Sequence, residues 1–566
     1  MRMRWGFSFT CRRGADVVDG TPHHSRHVGS IAVPLVTTCG AMLIIALIFW
    51  GGVRRGMDHV AAYGPESEQT AISIALSESI YGLRLGYLGF ATVKRKLQEI
   101  WNSGAAYLND PILIKNNADR NLLNQAITAA ASLGPQEPGF LSDRTLITTV
   151  YDDMGYVDYV KLSFRLFGLR IESMYYTFFV LIGISALVFI VNFRESLSAQ
   201  VVLLCALFAF YVELHTAIFI PDMPTLTGMR HSSSLALLPM WHFIFLIVLR
   251  RRLTIGSIVS ALIQLAILIL AIRIRGSAGW TVLFAVAVGL ARALASWWEQ
   301  DRESHSLVRL AHEAASWPVI VLVVGVLANS VYSRVVLHPI YFTDDVIPYH
   351  GPWHSAVLGL SYDPELYSAP AAKMLREGAN TDEVGYYEAL DYLRRIRFIA
   401  PNPNPGESPA GFVSPWTGTI KFRLHDSIMR AVFFDIMRHH PLRVAWIYAY
   451  EKPRSIYFTL RLIFSRTETS TWLFLMIGFG VIVGLLMMLS GVLVPKDLGA
   501  ILLVGAAAVI SSGLPNLWAY PSFHTVSDHF LVVLAFGQLL VGSFIAIGLG
   551  CGLQVAKRRW RARASD

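Results

Sequence analysis

An acidic pair, Asp152 and Asp153, stands in the run Tyr151-Asp152-Asp153-Met154-Gly155-Tyr156-Val157-Asp158-Tyr159. It is followed by an aromatic-rich amphipathic stretch from Lys161 to Phe167, then Gly168, then a long apolar run. A carboxylate held at a membrane boundary can take a proton from an acceptor hydroxyl while the rest of a lipid-borne substrate stays in the bilayer. Tyr156, four residues on, is the aromatic candidate for substrate contact. The same spacing also suits a purely architectural role, in which Asp152 or Asp153 caps a helix that Gly168 ends.

A second constellation opens a later polar segment with Asp344 and Asp345, followed by His350, Trp353 and His354 in Pro348-Tyr349-His350-Gly351-Pro352-Trp353-His354-Ser355. His350 and His354 are four residues apart, the spacing that puts two imidazoles on one helix face, but Pro352 between them argues against a regular helix and so against a metal site. An aromatic face flanked by histidines and acids could instead hold a sugar ring, Trp353 covering its apolar side while polar neighbours take the hydroxyls. A structural turn is the alternative. Further on, Arg438, Arg443, Lys452 and Arg454 belong to a basic run interleaved with aromatics between Arg423 and Arg466. Phosphate or anionic-lipid binding and a merely solvated face both fit that run. Asp382, Glu383, Tyr386 and Tyr387 begin an amphipathic helix for which Thr381 or Asp382 is a sufficient cap.

The elements that must position these residues are membrane helices. Of 566 residues, 54% are hydrophobic and 15% charged, against roughly a quarter charged in a typical globular chain. Windows of ~20 residues without a charge recur, which is the length a bilayer core demands. Ten candidate spans follow, near 31–50, 173–192, 199–219, 233–249, 254–272, 278–296, 317–332, 471–490, 498–513 and 529–550. The expected architecture is an all-α polytopic membrane protein. It runs from a basic tail at 1–30 and a first span at 31–50, through a loop at 51–172, to a six-helix block at 173–332. A second large segment at 333–470, a three-helix block at 471–550 and a basic tail at 551–566 complete it.

The net charge of +9 sits largely in short basic clusters beside apolar spans, so it reads as topology and not as nucleic-acid affinity. Arg2, Arg4, Arg12, Arg13 and Arg26 precede the first span, and no cleavage pattern follows it, which predicts a retained anchor and a cytoplasmic N-terminus. Ten crossings then put Arg194, the triplet Arg250 to Arg252, Arg302, Arg309, Lys496 and the C-terminal cluster on the cytoplasmic side. Both large loops, including residues 100 and 400, face outward. Arg273 and Arg275 are the exception, falling in a short outer loop. Within the spans, Glu213 and His215 are intramembrane ionisable groups and default to a functional reading, with pairing to Asp222, Arg230 or His231 as the competing one. Arg292 is expected to snorkel to the inner surface.

A first span, a long outer loop, an acid shortly before a helix of the form Y-x-x-x-[AS]-x-x-L-F-G, and then many short-looped spans resemble the GT-C-type membrane glycosyltransferases. The pattern falls here on Tyr159, Ser163 and Leu166-Phe167-Gly168. The likeness is clearest over 150–300, and His439-His440-Pro441-Leu442 through Lys452-Pro453 is similar to the segment leading into a late span in bacterial relatives. It implies transfer of a sugar from a polyprenyl-phosphate-type carrier to a lipid, glycan or protein acceptor of the cell envelope, on the outer face of a bacterial-type plasma membrane. Asp152 or Asp153 would be the base, and the late basic residues would hold the donor phosphate. The chain departs from the R-Y-x-x-P-type motif of many bacterial members, carrying Ser527-Asp528-His529-Phe530 there, so the donor stays open.

Four cysteines, Cys11, Cys39, Cys205 and Cys551, give neither a disulfide framework nor a cysteine-based zinc site. A divalent metal is not indicated, and oligomeric state is not encoded. No P-loop, dinucleotide fingerprint, nucleophile elbow or H-E-x-x-H occurs, which removes support for ATP-driven transport, nicotinamide chemistry and zinc proteolysis. A flippase of lipid-linked glycans and a non-catalytic assembly protein are the rival readings.

Overall fold

The computed structural model describes residues 38–50, 117–132, 154–194, 196–216, 233–249, 252–298, 314–336, 352–378, 381–397, 422–455 and 498–512, with single residues at 72, 75, 76, 311, 536, 537, 539 and 540. Among the described residues every regular element is helical and there is no strand. In chain order the helices are α1 (Thr38–Trp50), α2 (Asn117–Ala131), α3 (Met154–Phe167), α4 (Glu172–Phe193), α5 (Leu197–Thr216), α6 (Leu237–Val248), α7 (Ile255–Ile274), α8 (Trp280–Trp298), α9 (Trp317–Val336), α10 (Pro352–Leu358), α11 (Ala369–Arg376), α12 (Thr381–Arg395), α13 (Phe422–His439), α14 (Pro441–Trp446) and α15 (Leu498–Ser512).

Four of these, α4, α7, α8 and α9, are long and apolar enough to cross a membrane. They make the chain a membrane protein, and they fall on four of the proposed spans. The shorter apolar helices α1, α5, α6 with its preceding 3-10 turn, and α15 fall on four more. The span proposed at 471–490 lies outside the described residues, as does all but a few residues of 529–550.

Two of the helices show a local signal that bounds them. Thr254, extended at φ −127°, accepts a hydrogen bond from Ser257 N–H at 3.1 Å and so caps α7. Gly168 ends α3 with φ at +90°, its N–H donating to Phe164 O at 3.0 Å, a left-handed position that a side chain would strain. The stop expected from the sequence is therefore the stop that forms.

The apolar block is built around α7, which packs on α3, α4, α6 and α9. Apolar faces alone carry little orienting information in lipid, and polar pairs between helices supply it. Ser185 Oγ on α4 donates to Gln264 Oε1 on α7 at 2.7 Å, and Gln264 Nε2 donates back to Ser185 O at 2.8 Å. Asn192 on α4 meets His242 Nε2 on α6 at 3.1 Å, with Phe189 and Phe193 edge-on to the imidazole.

A second core lies in the late segment, where α10, α12 and α13 pack together around Val357, Val384, Leu390, Met429 and Val432. α11 joins through α12, and α14 continues from α13 across a corner at His440 and Pro441. A π-helical turn, Ile447–Glu451, follows α14 without a break. The amphipathic helix expected to begin at Asp382, Glu383, Tyr386 and Tyr387 corresponds to α12.

Candidate functional site

α3 begins at Met154, directly after the acidic pair. Asp152 and Asp153 themselves lie outside the described residues. Tyr156 and Tyr159 are both fully buried and stacked on each other with 6.2 Å between ring centroids. The Tyr159 hydroxyl donates to Met174 O at the start of α4. Tyr156 is thus a packing residue of this helix face in the structure, not a surface ring.

The first turn of α3 is clamped to the end of α7. A side chain at Gly155 would collide with the Cβ and backbone of Arg273, so the two helices approach as closely as glycine alone permits. One turn later, Asp158 accepts from Arg273 Nη2 at 2.5 Å and pairs with Lys161 at 3.2 Å. Arg273 is only 11% exposed, reaches Asn329 Oδ1 on α9 at 3.5 Å and lies over the Tyr332 ring at 5.4 Å. Three helices, α3, α7 and α9, therefore meet on one guanidinium. This gives a physical account of the arginine that broke the expected charge pattern, since a cation held by a carboxylate and an aromatic face is not free to act as a topology signal.

α2, from the first loop, docks at the same corner. Asn124 Oδ1 accepts from Ile171 N–H at 2.9 Å, and its Nδ2 donates to the Glu172 carboxylate at 2.9 Å. One amide thereby satisfies a free backbone donor and a carboxylate at the start of α4. The sequence reading singled out neither Asn124 nor Asp158. Asp158 carried a usable signal, an acid on the buried-tyrosine helix five residues after Asp153, whereas nothing local marks Asn124.

The late constellation divides. Asp344, Asp345 and His350 lie outside the described residues. Pro352 does not prevent a helix; it starts one, occupying the first turn of α10 where its missing N–H is not needed. Asp426 on α13 accepts from both Trp353 N–H and His354 N–H, at 3.1 and 3.4 Å, and so caps α10 from across the domain. Trp353 is half-buried against Phe433 and Phe434, with the Arg430 guanidinium 5.7 Å above its ring. His354 is buried, its Nδ1 3.0 Å from His425 Nε2, with the Tyr386 ring tilted against both imidazoles. Gly385 leaves room for this pair, because a Cβ there would press on the His354 ring. Among the described residues no group of three or more histidines, cysteines and acids could hold a metal.

The four basic candidates differ in burial and in the partners described for them. Arg443 pairs with Glu365 at 2.9 Å and Asp363 at 3.4 Å, and the hydrogen bond to Glu365 holds it more firmly in its charged form. Arg454 reaches Glu451 at 4.0 Å and lies over the Tyr450 ring. Lys452 is buried, its Nζ 4.3 Å from the Tyr448 ring centre, and burial pushes its amine down to about 7. Arg438, in the last turn of α13, is exposed. Nearby, burial raises the Glu388 carboxyl above the usual range despite a 2.8 Å hydrogen bond from Ser368 N–H and Arg395 at 3.8 Å.

Arg292, half-buried, donates to Ile247 O at the last turn of α6. Glu213 and His215 lie on α5, with their side chains outside the described residues. The chain matches no family model, no curated protein and no solved structure at a significant level.

Proposed function

We propose that this is a ten-span membrane glycosyltransferase with two large helical extracytoplasmic segments, moving a sugar from a polyprenyl-phosphate-type donor to a cell-envelope acceptor. The observation that carries this reading is the clamp of α3 onto α7. Arg273 marks the polar end of a twenty-residue apolar helix, and Gly155 lies against its backbone. Asp152 and Asp153 precede Gly155 by three and two residues, so chain continuity keeps them near a membrane boundary, where a lipid-borne substrate presents its head group.

In the proposed step the acceptor oxygen attacks the anomeric carbon, its proton passes to the carboxylate of Asp152 or Asp153, and the sugar–phosphate bond breaks to release polyprenyl phosphate. Late-segment cations stabilise the leaving phosphate, with Arg438, Arg443 and Arg454 exposed and Lys452 buried. Asp152→Asn and Asp153→Asn keep side-chain shape and capping ability while removing the base. Purified protein in detergent, given a lipid-linked sugar and a panel of acceptors, is expected to release free carrier phosphate without ATP or a gradient. One of the two variants should lower that release by about 100-fold or more at unchanged melting temperature. Full turnover in both variants would make the carboxylates caps. Carrier movement between leaflets of liposomes, with no product in detergent, would make the protein a flippase.

A further inference from the structure

The helix formed by α14, the π turn and Lys452 to Ser455 has two faces. Val444, Ile447 and Lys452 are buried in the late domain's core. The opposite face carries Leu442 at 84% exposure, Trp446 at 56% and Tyr450 at 42%, with Arg454 a further four residues on. Residues four apart drift one way around an α-helix and the opposite way around the wider π turn, so a helix that mixes the two keeps them on one side. Contacts along the face agree with this, since the Trp446 and Tyr450 rings lie 4.4 Å apart and Arg454 covers Tyr450 at 5.6 Å. Trp446 Nε1 donates to Glu451 at 3.3 Å, which leaves the indole's apolar body outward. The result is an exposed apolar strip one helix long that none of the described residues covers.

We infer that this strip rests on the outer leaflet of the protein's own membrane. Its composition is that of an interfacial surface, an aliphatic residue, a tryptophan and a tyrosine with polar tips, and an arginine whose stem can lie along the apolar layer while its head meets phosphates. Arg438 at the α13–α14 corner adds a second exposed cation toward anionic headgroups. The domain cannot move far from a bilayer. Residues 337–351 alone connect it to α9, a helix long and apolar enough to span. A membrane is therefore present at high effective concentration, which a diffusing partner is not.

The inference does not depend on the transferase reading, because a domain of any activity could be seated this way. Full-length protein carrying one nitroxide at Leu442→Cys, Trp446→Cys or Lys373→Cys, with native cysteines replaced, would be placed in nanodiscs of phosphatidylcholine and phosphatidylglycerol. Labels at 442 and 446 are expected to relax readily with oxygen and to be several-fold less accessible to an aqueous nickel reagent than the label at 373, on exposed α11. Equal nickel access at all three positions would overturn the inference. Shielding from both reagents with dipolar broadening between labels would overturn it in favour of a second copy of the chain. Leu442, the most exposed of the three apolar residues, keeps the test valid if replacing Trp446 loosens its stack on Tyr450.

Discussion

Lys452 places an amine in the interior of the late domain, 2% exposed, above the face of Tyr448. The ring attracts the charged form, but burial wins and draws the amine down to about 7 from an ordinary 10.5. The same burial raises the Tyr448 hydroxyl to about 12, so the tyrosine stays neutral and supplies no compensating anion. Between the two lysine values the unfolded chain holds a proton that the folded chain has released, and stability rises with pH across that window. Below it the fold must bury the charge. Lys452→Met keeps an unbranched stem and removes the titration. The variant's melting temperature is expected to exceed that of the wild type most at or below neutral pH, and the gap should close as pH approaches the ordinary lysine value. Thermal unfolding across that range measures it. A gap independent of pH would mean that the amine keeps its normal proton affinity in the fold.

The clamp between α3 and α7 rests on one missing methyl. Gly155→Ala would drive Cβ into the Arg273 backbone, where no side-chain rotation can relieve it, and the helices must separate. Separation also strains the Asp158–Arg273 bond, which is mostly shielded from water. A loss of about 1–3 kcal/mol is expected from overpacking, read as reduced thermal stability in detergent. Gly183→Ala in α4, where nothing lies within 4 Å of the added Cβ, should be neutral or stabilising by up to about 1 kcal/mol through helix propensity. Equal effects at the two positions would remove the clamp. At this scale the sequence was readable wherever the signal is local. Gly168, Thr254 and the apolar periods mark helix ends within a few residues because each acts on its own chain neighbours. Asp158–Arg273, Ser185–Gln264, Asn124–Glu172 and His354–His425 were not readable, since the partners stand 48 or more residues apart and nothing local selects one partner from the rest. Pro352 shows the converse error: a residue that breaks a helix interior is well suited to its first turn, and only the neighbouring helix, through Asp426, decides which applies.

For the molecule as a whole the question is which way the apolar helices carry the chain. The sequence that joins α6 to α7 contains Arg250, Arg251 and Arg252, and the positive-inside tendency favours the cytoplasm for such a cluster. The turn between α7 and α8 then lies outside, where Arg273 would oppose the rule as a free cation. Held by Asp158, shared with Asn329 and covered by Tyr332, it contributes far less to that vote. In that proposed orientation α8 would return to the cytoplasm and α9 would leave it, which would put the late domain outside with the α3 clamp at the same face. Single cysteines in a cysteine-free chain test this directly, because Leu253 and Lys373 are both well exposed and sit on opposite sides of the proposed membrane. Lys373→Cys is expected to react with an impermeant maleimide in intact cells, and Leu253→Cys only after permeabilisation. The reversed pattern would invert the orientation, moving the acidic pair and the late domain to the cytoplasmic face, where a nucleotide-sugar would replace the lipid-linked donor as the reagent to try first. Labelling of both positions in intact cells would mean that an odd number of crossings lies between α6 and α9 beyond those counted, and the six-helix block would have to be redrawn.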